Sequence, residues 1–371
     1  VYKRQGWIQL VKLDNKSNDS SDLDFHWIWN HGGGERIDVI WPVITTADLD
    51  GDGKDEVISA YKDHAGRFQA VSLKNPEVAS GSELTYDSWI STSHARQGQE
   101  LNHFDIAAGN LNGWFGGDEA DEVVVAFRDN NADLQVVVLN GASDGGLLSY
   151  TWWYSTNHGR GYVGDVSVDI GDLDGDGYDD EIVLAFADSD QDQQVVVLEL
   201  RGDNNLHELG WEYWTSYDRG SIDLNYAAAV DVTAGNFDGA PGDEIAVAVR
   251  DGSGALQITQ IVYDPDGDTL RARVNATGRW RDTGNHRGRV DFVSAGSGDI
   301  DDDGYDEIIV GFANSYNDLS MVTLDGESRT PRLRGSYSTD YGDYTKVRWV
   351  SVDAGDIDGD SKAEVVMALQ D

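Results

Sequence analysis

The 371-residue chain contains no cysteine, which excludes disulfide scaffolds, thiol catalysis and Cys-ligated zinc or iron–sulfur sites. Basic residues are few: 27 Lys and Arg stand against 68 Asp and Glu, for a formal net charge of -41. Nucleic acids and anionic membrane surfaces are bound through basic faces, so this balance excludes both partners. No apolar run approaches the roughly 20 residues that a membrane-spanning helix needs. The sequence therefore predicts neither nucleic-acid binding nor membrane insertion.

Proline is also rare, with 5 residues, whereas 43 glycines indicate many tight turns in a regular fold. Aspartate supplies 53 of the 68 acidic residues. Glutamate would prevail if solvated helix faces caused the acidity, whereas aspartate favours turns and sites for hard cations. Adaptation to high salt would produce the same surplus of aspartate, and the two interpretations are compatible.

One acidic segment recurs six times, with copies that begin at Asp48, Asn110, Asp172, Asn236, Asp299 and Asp356. The separations are 62, 62, 64, 63 and 57 residues, so the repeat accounts for the whole chain. Each period contains short runs of β-branched and aromatic residues bounded by Gly, Asp and Asn, which is the pattern of strands. The first period reads VITTA, EVISAY, FQAVSL and TYDSWIST, hence four strands. Four antiparallel strands per 60-odd residues predict a β-propeller blade.

We therefore predict an all-β fold, a six-bladed β-propeller of four-stranded antiparallel blades in a single domain over residues 1–371. Residues 6–30 match the third and fourth strands of the repeat, and the C-terminal segment matches the first and second. Two N-terminal and two C-terminal strands would thus close the ring, which removes exposed sheet edges. The predicted blades span approximately 42–98, 103–160, 164–221, 227–285, 290–341, and 349–371 joined with 1–33.

The acidic segments have the spacing of a cation-binding loop. The first reads DLDGDGKDE from Asp48 to Glu56, with carboxylates at positions 1, 3, 5 and 9 and a backbone carbonyl available at position 7. Like charges gathered at one point are unfavourable unless a cation neutralises them. Ligation by oxygen alone selects a hard ion, and a flexible carboxylate-rich loop favours Ca²⁺ over Mg²⁺. An EF-hand starts similarly but needs flanking helices, whereas both flanks here are strands; the other interpretation is a simple solvated turn.

Four loops are complete, and their predicted ligands are Asp48, Asp50, Asp52, Lys54 and Glu56; Asp172, Asp174, Asp176, Tyr178 and Asp180; Asp299, Asp301, Asp303, Tyr305 and Glu307; and Asp356, Asp358, Asp360, Lys362 and Glu364. The Lys and Tyr residues would act through backbone carbonyls. In the third loop Asp180 and Glu181 compete for the closing position. Two loops are less complete, with the weaker candidates Asn110, Asn112, Asp118 and Glu122, and Asn236, Asp238 and Glu244. About four to six Ca²⁺ ions are expected.

These loops resemble the integrin α-subunit propeller repeat, called FG-GAP or VCBS, which has the form D-x-D-x-D-G-x-x-D between the first two strands of a blade. The resemblance covers all six repeats, although an integrin ring has seven blades. It implies Ca²⁺ in the loops of one face and, commonly, ligand recognition on the opposite face. Adhesion receptors, fungal lectins and appendages of secreted enzymes share the repeat, so it implies no single function.

Propeller connectivity places two further sets of residues on the face away from the loops. The turns after the second strands carry Asp63, Asp129, Asp188, Asp251 and Asn314, and the segments after the fourth strands carry His94, Arg96, His158, Arg160, Arg219, His286 and Arg287. These groups either cap turns and pair across blades or form a polar rim that recognises a sugar or a partner. Trp114, inside an insertion that breaks the repeat, is a further candidate contact.

Two other repeated features admit structural and functional roles. The fourth strands carry Trp27, Trp89, Trp153, Trp214, Trp280 and Tyr337, which pack between blades or stack on sugar rings. On the first strands, Asp105, Asp169, Asp231 and Asp353 share one side-chain parity. In a propeller they would face the central channel, where they either bond to neighbouring backbone or hold a cation or water.

The sequence contains no nucleophile elbow, phosphate loop or zinc signature. We therefore expect a non-catalytic, extracellular recognition or adhesion module, secreted or on a cell surface, that binds carbohydrate or a protein. It would be a monomeric propeller or a domain of a larger chain. The alternatives are a calcium-dependent secreted hydrolase or lyase, or its accessory domain, and a scaffold within a large surface protein.

Overall fold

The structure is a computed structural model that describes residues 8–15, 23–30, 40–49, 51, 55–62, 68–74, 85–92, 102–111, 120–129, 133–141, 147–156, 163–188, 193–201, 205–214, 229–250, 254–264, 269–272, 279–281, 290–314, 319–326, 332–339, 349–357 and 362–370. Every regular element in these ranges is a β-strand, which confirms the all-β prediction. Within the described part of the chain, no helix has the length and apolar character that crossing a membrane requires.

The described strands form six antiparallel sheets, which we number along the chain. Sheet 6 joins the two ends of the chain: β1 (Ile8–Asn15) and β2 (Leu23–Asn30) with β24 (Trp349–Gly355) and β25 (Glu364–Gln370). Sheet 1 contains β3 (Ile40–Ala47), β4 (Glu56–Lys62), β5 (Phe68–Lys74) and β6 (Thr85–Thr92). Sheet 2 contains β7 (Asn102–Gly109), β8 (Glu122–Arg128), β9 (Leu134–Gly141) and β10 (Leu147–Thr156).

Sheet 3 contains β11 (Val166–Gly171), β12 (Glu181–Ala187), β13 (Gln193–Arg201) and β14 (Asn205–Trp214). Sheet 4 contains β15 (Val230–Gly235), β16 (Glu244–Arg250), β17 (Leu256–Asp264) and two short segments that both pair with β17, β18 (Thr269–Ala272) and β19 (Arg279–Arg281). Sheet 5 contains β20 (Val290–Gly298), β21 (Glu307–Asn314), β22 (Leu319–Asp325) and β23 (Arg332–Thr339).

Pairing follows the chain within sheets 1 to 5, where each strand lies beside the next, except that β19 in sheet 4 pairs with β17. In sheet 6 the order is β2-β1-β25-β24, and β1 pairs with β25 so that Ile8 lies opposite Gln370 and Leu13 opposite Val365. The two termini therefore build one sheet with the same four-strand plan as the others.

The second strands carry a central apolar run because both of their faces are covered. In β12 all seven residues of EIVLAFA are buried, and in β21 all eight of EIIVGFAN. A half-exposed strand would alternate polar and apolar residues, whereas a strand covered on both faces reads as a continuous apolar run. The sheets must therefore pack against one another face to face.

That packing appears as six hydrophobic clusters of described residues, each formed between two sheets that follow one another. One cluster joins Val183 and Val197 of sheet 3 to Val232 and Val247 of sheet 4. The other clusters join sheets 2 and 3, 1 and 2, 5 and 6, and 4 and 5. The last pair is sheet 6 with sheet 1, where Val366 packs in the same cluster as Ile44, Val57 and Leu73.

The first strands of all six sheets meet around shared cavities. A cavity of about 290 Å³, which we call the axial cavity, is lined from every first strand, with Thr45, Asp105, Asp169, Asp231, Ser294 and Asp353 among its residues. A second space of about 480 Å³, the mouth cavity, lies toward the starts of the same strands. The acidic loops follow the ends of these strands, so the mouth cavity and the loops lie at opposite ends of the first strands.

Candidate metal loops and the axial cavity

The third acidic loop is described in full, and its first carboxylate organises the backbone. Asp172 Oδ1 accepts hydrogen bonds from the N–H groups of Gly175 (2.8 Å) and Asp176 (3.0 Å), and its Oδ2 accepts one from Gly177 (2.8 Å). Such a tight turn requires a left-handed residue at position 4, and Gly175 has φ of 77°. The same position holds Gly51, Gly239 and Asp302, all with positive φ. The repeated sequence thus encodes a repeated loop conformation.

Five of the loops, in their described residues, are fixed to the protein interior by an apolar residue at position 2 and by the glutamate that begins the second strand. Leu173 is buried, and its N–H donates to Glu181 Oε2 at 2.8 Å. The fifth loop has the same pair, with Ile300 N–H donating to Glu307 Oε2 at 3.1 Å. The equivalent pairs in the other loops are Leu49 with Glu56, Phe237 with Glu244 and Ile357 with Glu364. One glutamate oxygen therefore caps the loop backbone.

Among the residues that the structure describes, two loops bring oxygen ligands together closely enough for one cation. In the third loop, Asp172, Asp174 and Glu181 each offer an oxygen, and these atoms lie within 4.8 Å of one another. In the fifth loop, Asp299, Asp301 and Asp303 do the same. Oxygens bound to one Ca²⁺ at about 2.3–2.6 Å are separated by comparable distances. Both loops therefore fit a calcium ion.

Like charge in the third loop is costly without a cation. Burial, and then repulsion from Asp176, raises the pKa of Asp174. Burial also raises the pKa of Asp180 and of Glu181, whose carboxyl groups are hydrogen-bonded to each other. Asp180 is 5% exposed, and its Oδ1 is buried with no hydrogen-bond partner among the described residues. A buried carboxylate oxygen without a partner is unfavourable, and a bound cation would supply one.

The strand register shows that Glu181, and not Asp180, begins the second strand of sheet 3. Glu181 lies opposite Gly171, in the place that Glu307 takes opposite Gly298. Glu181 is thus the equivalent of the other closing glutamates, and Asp180 is an additional residue beside it.

The remaining predicted ligands divide between described and undescribed positions. Asn236 Oδ1 and Asp238 Oδ1 accept hydrogen bonds from Gly239 N–H (2.7 Å) and Ala240 N–H (2.9 Å), so the fourth loop keeps the turn of the third. Tyr178 and Tyr305 donate their N–H groups to Asp176 Oδ1 and Asp303 Oδ1, both at 3.1 Å. Asp48, Asn110, Glu122, Asp356 and Lys362 are described at the loop ends, whereas Asp50, Asp52, Lys54, Asn112, Asp118, Asp358 and Asp360 lie outside the described residues.

The residue at position 8 serves a role that sequence reasoning missed, because it joins neighbouring sheets. Asp121 of sheet 2 donates its N–H to the carbonyl of Asp48 of sheet 1 (2.9 Å), and its Oδ2 accepts the Asp48 N–H (2.8 Å). We call this paired contact the latch. Its backbone half recurs from Asp243 to Asp172, Asp306 to Asn236, Ala363 to Asp299 and Asp55 to Asp356. The last of these joins sheet 1 to sheet 6.

The latch carboxylates are half-buried and lie close enough to repel one another. Burial, and then repulsion from Asp121, raises the pKa of Asp55 to about 7; burial, and then repulsion from Asp179, raises that of Asp243 to about 7. At Gly171, which ends the first strand of sheet 3, the latch occupies the space that a side chain would need: a Cβ there would lie 2.7 Å from Asp243 Oδ2. The sequence shows both the aspartate before the second strand and the glycine at the end of a first strand. That the two residues contact each other is shown only by the packing of neighbouring sheets.

The first-strand aspartates line the axial cavity and bond across sheets. Asp105 Oδ2 accepts the Val168 N–H (3.1 Å), Asp169 Oδ2 accepts the Ala234 N–H (2.7 Å), and equivalent bonds run from Ala295 to Asp231 and from Thr46 to Asp353. The geometry thus matches the structural alternative, bonding to neighbouring backbone. Burial, and then repulsion from Asp353, raises the pKa of Asp169 to about 8.

Ser167 connects two of these acids. Its Oγ lies 2.9 Å from Asp105 Oδ2, contacts Asp231 Oδ1 and accepts the Val232 N–H at 3.1 Å. A hydroxyl group donates one proton, so it satisfies one carboxylate and the other carboxyl group must itself donate. Burial, and then repulsion from Asp231, raises the pKa of Asp105, in agreement with a proton held by this pair.

The mouth cavity carries aromatic side chains and one histidine–carboxylate pair. His103 Nδ1 lies 2.7 Å from Asp165 Oδ1, and both side chains are about one-third exposed. Trp349 packs at a tilt against Phe292, with ring centroids 5.2 Å apart. Sequence reasoning did not single out these four residues, since none belongs to the repeated motif.

The acidic residues expected to form an exposed rim are buried in the turns that the structure describes. Asp129 and Asp188 are buried, and they accept hydrogen bonds from Gln135 Nε2 (3.0 Å) and Gln194 Nε2 (2.7 Å). Asp129 Oδ1 also accepts the Asp133 N–H, so this aspartate caps its turn. The basic and aromatic candidates His94, Arg96, Trp114, His158, Arg160, Arg219, His286 and Arg287, with Asp63 and Asp251, lie outside the described residues. The fourth-strand aromatics lie on described strands, but their side chains are not described.

Comparison with solved structures shows a β-propeller-like fold. A triple arginine-to-alanine mutant of AofleA from Arthrobotrys oligospora matches with a TM-score of 0.52 at 11% identity, covering 88% of this chain and 78% of that one. SapL1 lectin in complex with alpha methyl fucoside gives 0.46 at 13% identity, covering 84% of each chain. Rhamnogalacturonan lyase YesW gives 0.44 at 14%, covering 91% of this chain and 72% of that one. The TM-score of 0.52 for the AofleA mutant indicates a shared fold, and at 11% identity it shows nothing finer.

No protein-family model matches the chain, and no curated protein matches it in sequence.

Proposed function

We propose that this chain is a six-bladed β-propeller of the FG-GAP/VCBS type, closed by its terminal sheet and stabilised by Ca²⁺ in its acidic loops. Sheet-to-sheet clusters between every consecutive pair, including sheet 6 with sheet 1, support closure. Six copies of one acidic segment, four of which have a described residue with positive φ at position 4, support the repeat family. As a working module it would be non-catalytic and extracellular, recognising carbohydrate or a protein on the face opposite the loops.

The observation that carries the proposal is the oxygen cluster of the third loop. Asp172, Asp174 and Glu181 converge there, and the buried Asp180 Oδ1 has no described partner. A shell of carboxylates without nitrogen or sulfur ligands suits Ca²⁺, whose sites in extracellular modules have dissociation constants on the order of 10⁻⁴ to 10⁻³ M. Outside calcium in the millimolar range would keep such sites occupied, which is why we place the protein outside the cell.

Ligand recognition is assigned to the opposite face because the loops are used for ion binding. The mouth cavity opens there with an aromatic wall of Phe292 and Trp349 and the polar pair of His103 and Asp165. Aromatic rings that stack on sugar faces, combined with a few fixed polar groups, are the usual elements of a small-ligand site. The likeness of fold to the AofleA mutant agrees with this architecture.

A glycan array probed with the whole chain, with calcium and with chelator, tests the function. Calcium-dependent binding of defined glycans, lost in a Trp349→Ala variant that still melts cooperatively, is the expected result. Absence of glycan binding at saturating calcium would contradict the carbohydrate ligand and leave the protein partner or the scaffold role.

An enzyme remains the second candidate, because a histidine paired with a carboxylate at a cavity mouth is also the arrangement of a general base. The His103–Asp165 contact of 2.7 Å is the observation in its favour. Incubating the glycans that bind with the protein and analysing them for cleavage separates the two. Turnover that is abolished in His103→Asn would replace the recognition module with a hydrolase or lyase.

A further inference from the structure

The mouth cavity has an acidic floor, by which we mean Asp105, Ser167 and Asp231. The two aspartates line both the mouth cavity and the axial cavity, so they mark the place where the two spaces meet. Ser167 Oγ contacts Asp231 Oδ1 and lies 2.9 Å from Asp105 Oδ2. The hydroxyl group donates to one carboxyl group, and a further proton held by the pair still leaves one carboxylate charged. The floor therefore carries at least one negative charge near neutral pH.

A further carboxylate lies at the entrance to the cavity. His103 occupies the bulge of β7 with φ of 47°, a left-handed conformation that few residues other than glycine adopt. Its Nδ1 lies 2.7 Å from Asp165 Oδ1 of the neighbouring sheet. Bulges redirect side chains, and strained residues of this kind are concentrated at binding sites. A protonated His103 neutralises Asp165 and a neutral one leaves it charged, so the pair adds no net positive charge.

The described wall of the cavity does not offset this negative charge. No lysine or arginine is among the described residues that line the cavity. Its aliphatic and aromatic residues include Phe104, Val166, Val230, Val293 and Val350. A charged cleft with apolar walls concentrates the electric field, and the net charge of -41 has the same sign. The described part of the cavity therefore attracts a cationic group and repels an anionic one.

Trp349 adds a hydrogen-bond donor and an aromatic ring. It lines the mouth cavity and packs against Phe292, with ring centroids 5.2 Å apart. Its Nε1 is buried with no hydrogen-bond partner among the described residues. A buried donor without an acceptor is unfavourable, and an oxygen atom of a ligand would supply the acceptor. Aromatic rings also stack on sugar rings and attract cations.

We propose that the mouth cavity binds a sugar that carries a free amine, with the ammonium group at the acidic floor and the sugar ring beside Trp349. The inference rests on the proposed carbohydrate recognition and narrows it to one class of sugar. An ammonium group has three donors and forms charge-assisted hydrogen bonds with carboxylates such as Asp105 and Asp231. A sugar hydroxyl group accepts the Trp349 N–H. A lysine side chain has the ammonium group but no hydroxyl oxygen, and neutral and acidic sugars lack the positive charge.

Titration calorimetry on the whole chain in constant excess calcium, with four small probes, tests the inference. The probes are the methyl glycosides of glucosamine, N-acetylglucosamine and glucuronic acid, and Nα-acetyllysine amide. The two cationic probes each carry one charge, so the general attraction to an acidic chain is the same for both. We expect methyl glucosaminide to bind at least about tenfold more tightly than each of the other three probes, because only it combines the ammonium group with the sugar ring.

Two matched variants separate the floor from the rest of the axis. Asp231 and Asp353 each accept one N–H from the neighbouring sheet at 2.7 Å, that of Ala295 and that of Thr46. Both line the axial cavity, but only Asp231 also lines the mouth cavity. Asp231→Asn should weaken the binding of methyl glucosaminide at least about tenfold, whereas Asp353→Asn should change it less than about twofold. Asp165→Asn, at the half-exposed entrance, should weaken it about threefold and remains decisive if Asp231→Asn does not melt cooperatively.

The outcomes distinguish this inference from the proposed function. Equal binding of the N-acetylated glycoside or of the lysine derivative, tighter binding of the glucuronide, or equal losses in Asp231→Asn and Asp353→Asn would overturn the inference. Unchanged binding in Asp165→Asn would do the same. Carbohydrate recognition would stand in each of these cases if the glycan array is positive. An array on which no glycan of any charge binds at saturating calcium would instead refute carbohydrate recognition itself.

Discussion

Replacing Asp169 with asparagine should flatten the dependence of stability on pH. The Asp169 carboxylate is buried in the axial cavity, where it accepts the N–H groups of Ala234 (2.7 Å) and Ile170 (2.9 Å). Burial, and then repulsion from Asp353, raises its pKa from 3.8 to about 8. The folded protein therefore keeps a proton that the unfolded chain releases. This contribution to stability is complete below pH 3.8 and is lost as pH rises toward 8.

The size of the Asp169 pKa shift sets an upper limit on the stability that is lost as the pH rises. One pKa unit corresponds to 1.36 kcal/mol, so a rise of about four units limits the loss to about 5 kcal/mol between pH 4 and 8. Asp353, whose pKa burial raises to about 6, repels Asp169 only after it has itself ionised, and water entering the cavity screens the charge. We expect a measured loss of about 2 kcal/mol in the wild-type chain. Asparagine does not ionise, so the variant should lack this loss.

Urea unfolding at several pH values between 4.5 and 8, in constant excess calcium, measures the effect. Asparagine forfeits one of the two hydrogen bonds, which lowers stability by about 1 kcal/mol at every pH, so the informative quantity is the slope. Asp302→Asn removes one exposed carboxylate and should retain the wild-type slope. If the slopes of Asp169→Asn and Asp302→Asn coincide, the carboxyl group of Asp169 does not hold the proton assigned to it.

Two substitutions test the loop and the latch. Glu307→Gln keeps the oxygen that accepts the Ile300 N–H, so it should preserve the stability of the calcium-free protein while weakening calcium binding. Glu307→Ala leaves the buried N–H without a partner and should lower the free energy of unfolding in urea by about 1–3 kcal/mol. Equal calcium-free stability of the two variants would contradict the capping role. Gly171→Ala places a Cβ 2.7 Å from Asp243 Oδ2 and should lower stability by about 1–3 kcal/mol. Gly311→Ala, with its nearest contact at 3.3 Å, should lower the melting temperature less.

The strands and the loops were predictable because each depends on local sequence. The apolar run EIVLAFA indicates a covered strand, and aspartates at positions 1, 3 and 5 indicate a cation loop whatever surrounds them. The closing residue of the third loop was not decidable, because Asp180 and Glu181 are adjacent and chemically similar. Strand register distinguishes them, since Glu181 lies opposite Gly171.

The latch was not predicted because its two halves belong to different repeats. Asp121 and Asp48 are 73 residues apart and meet only when two sheets pack. Likewise, the turn residue Asp129 fits an exposed rim as well as a buried cap until Gln135 is seen to donate to it. Spacing within one repeat carries no information on such contacts, whereas the recurrence of aspartate before five of the six second strands could have indicated a shared structural role.

The latch also determines how an ion in one loop acts beyond its own sheet. In five loops the first residue is held by a hydrogen bond from the neighbouring sheet, as Asp172 is held by Asp243. An ion that makes one loop rigid would therefore also stabilise the contact between that loop and the neighbouring sheet. Removing the ion would weaken the packing of both sheets. If the loops hold calcium as proposed, chelation is expected to separate neighbouring sheets before any single sheet unfolds.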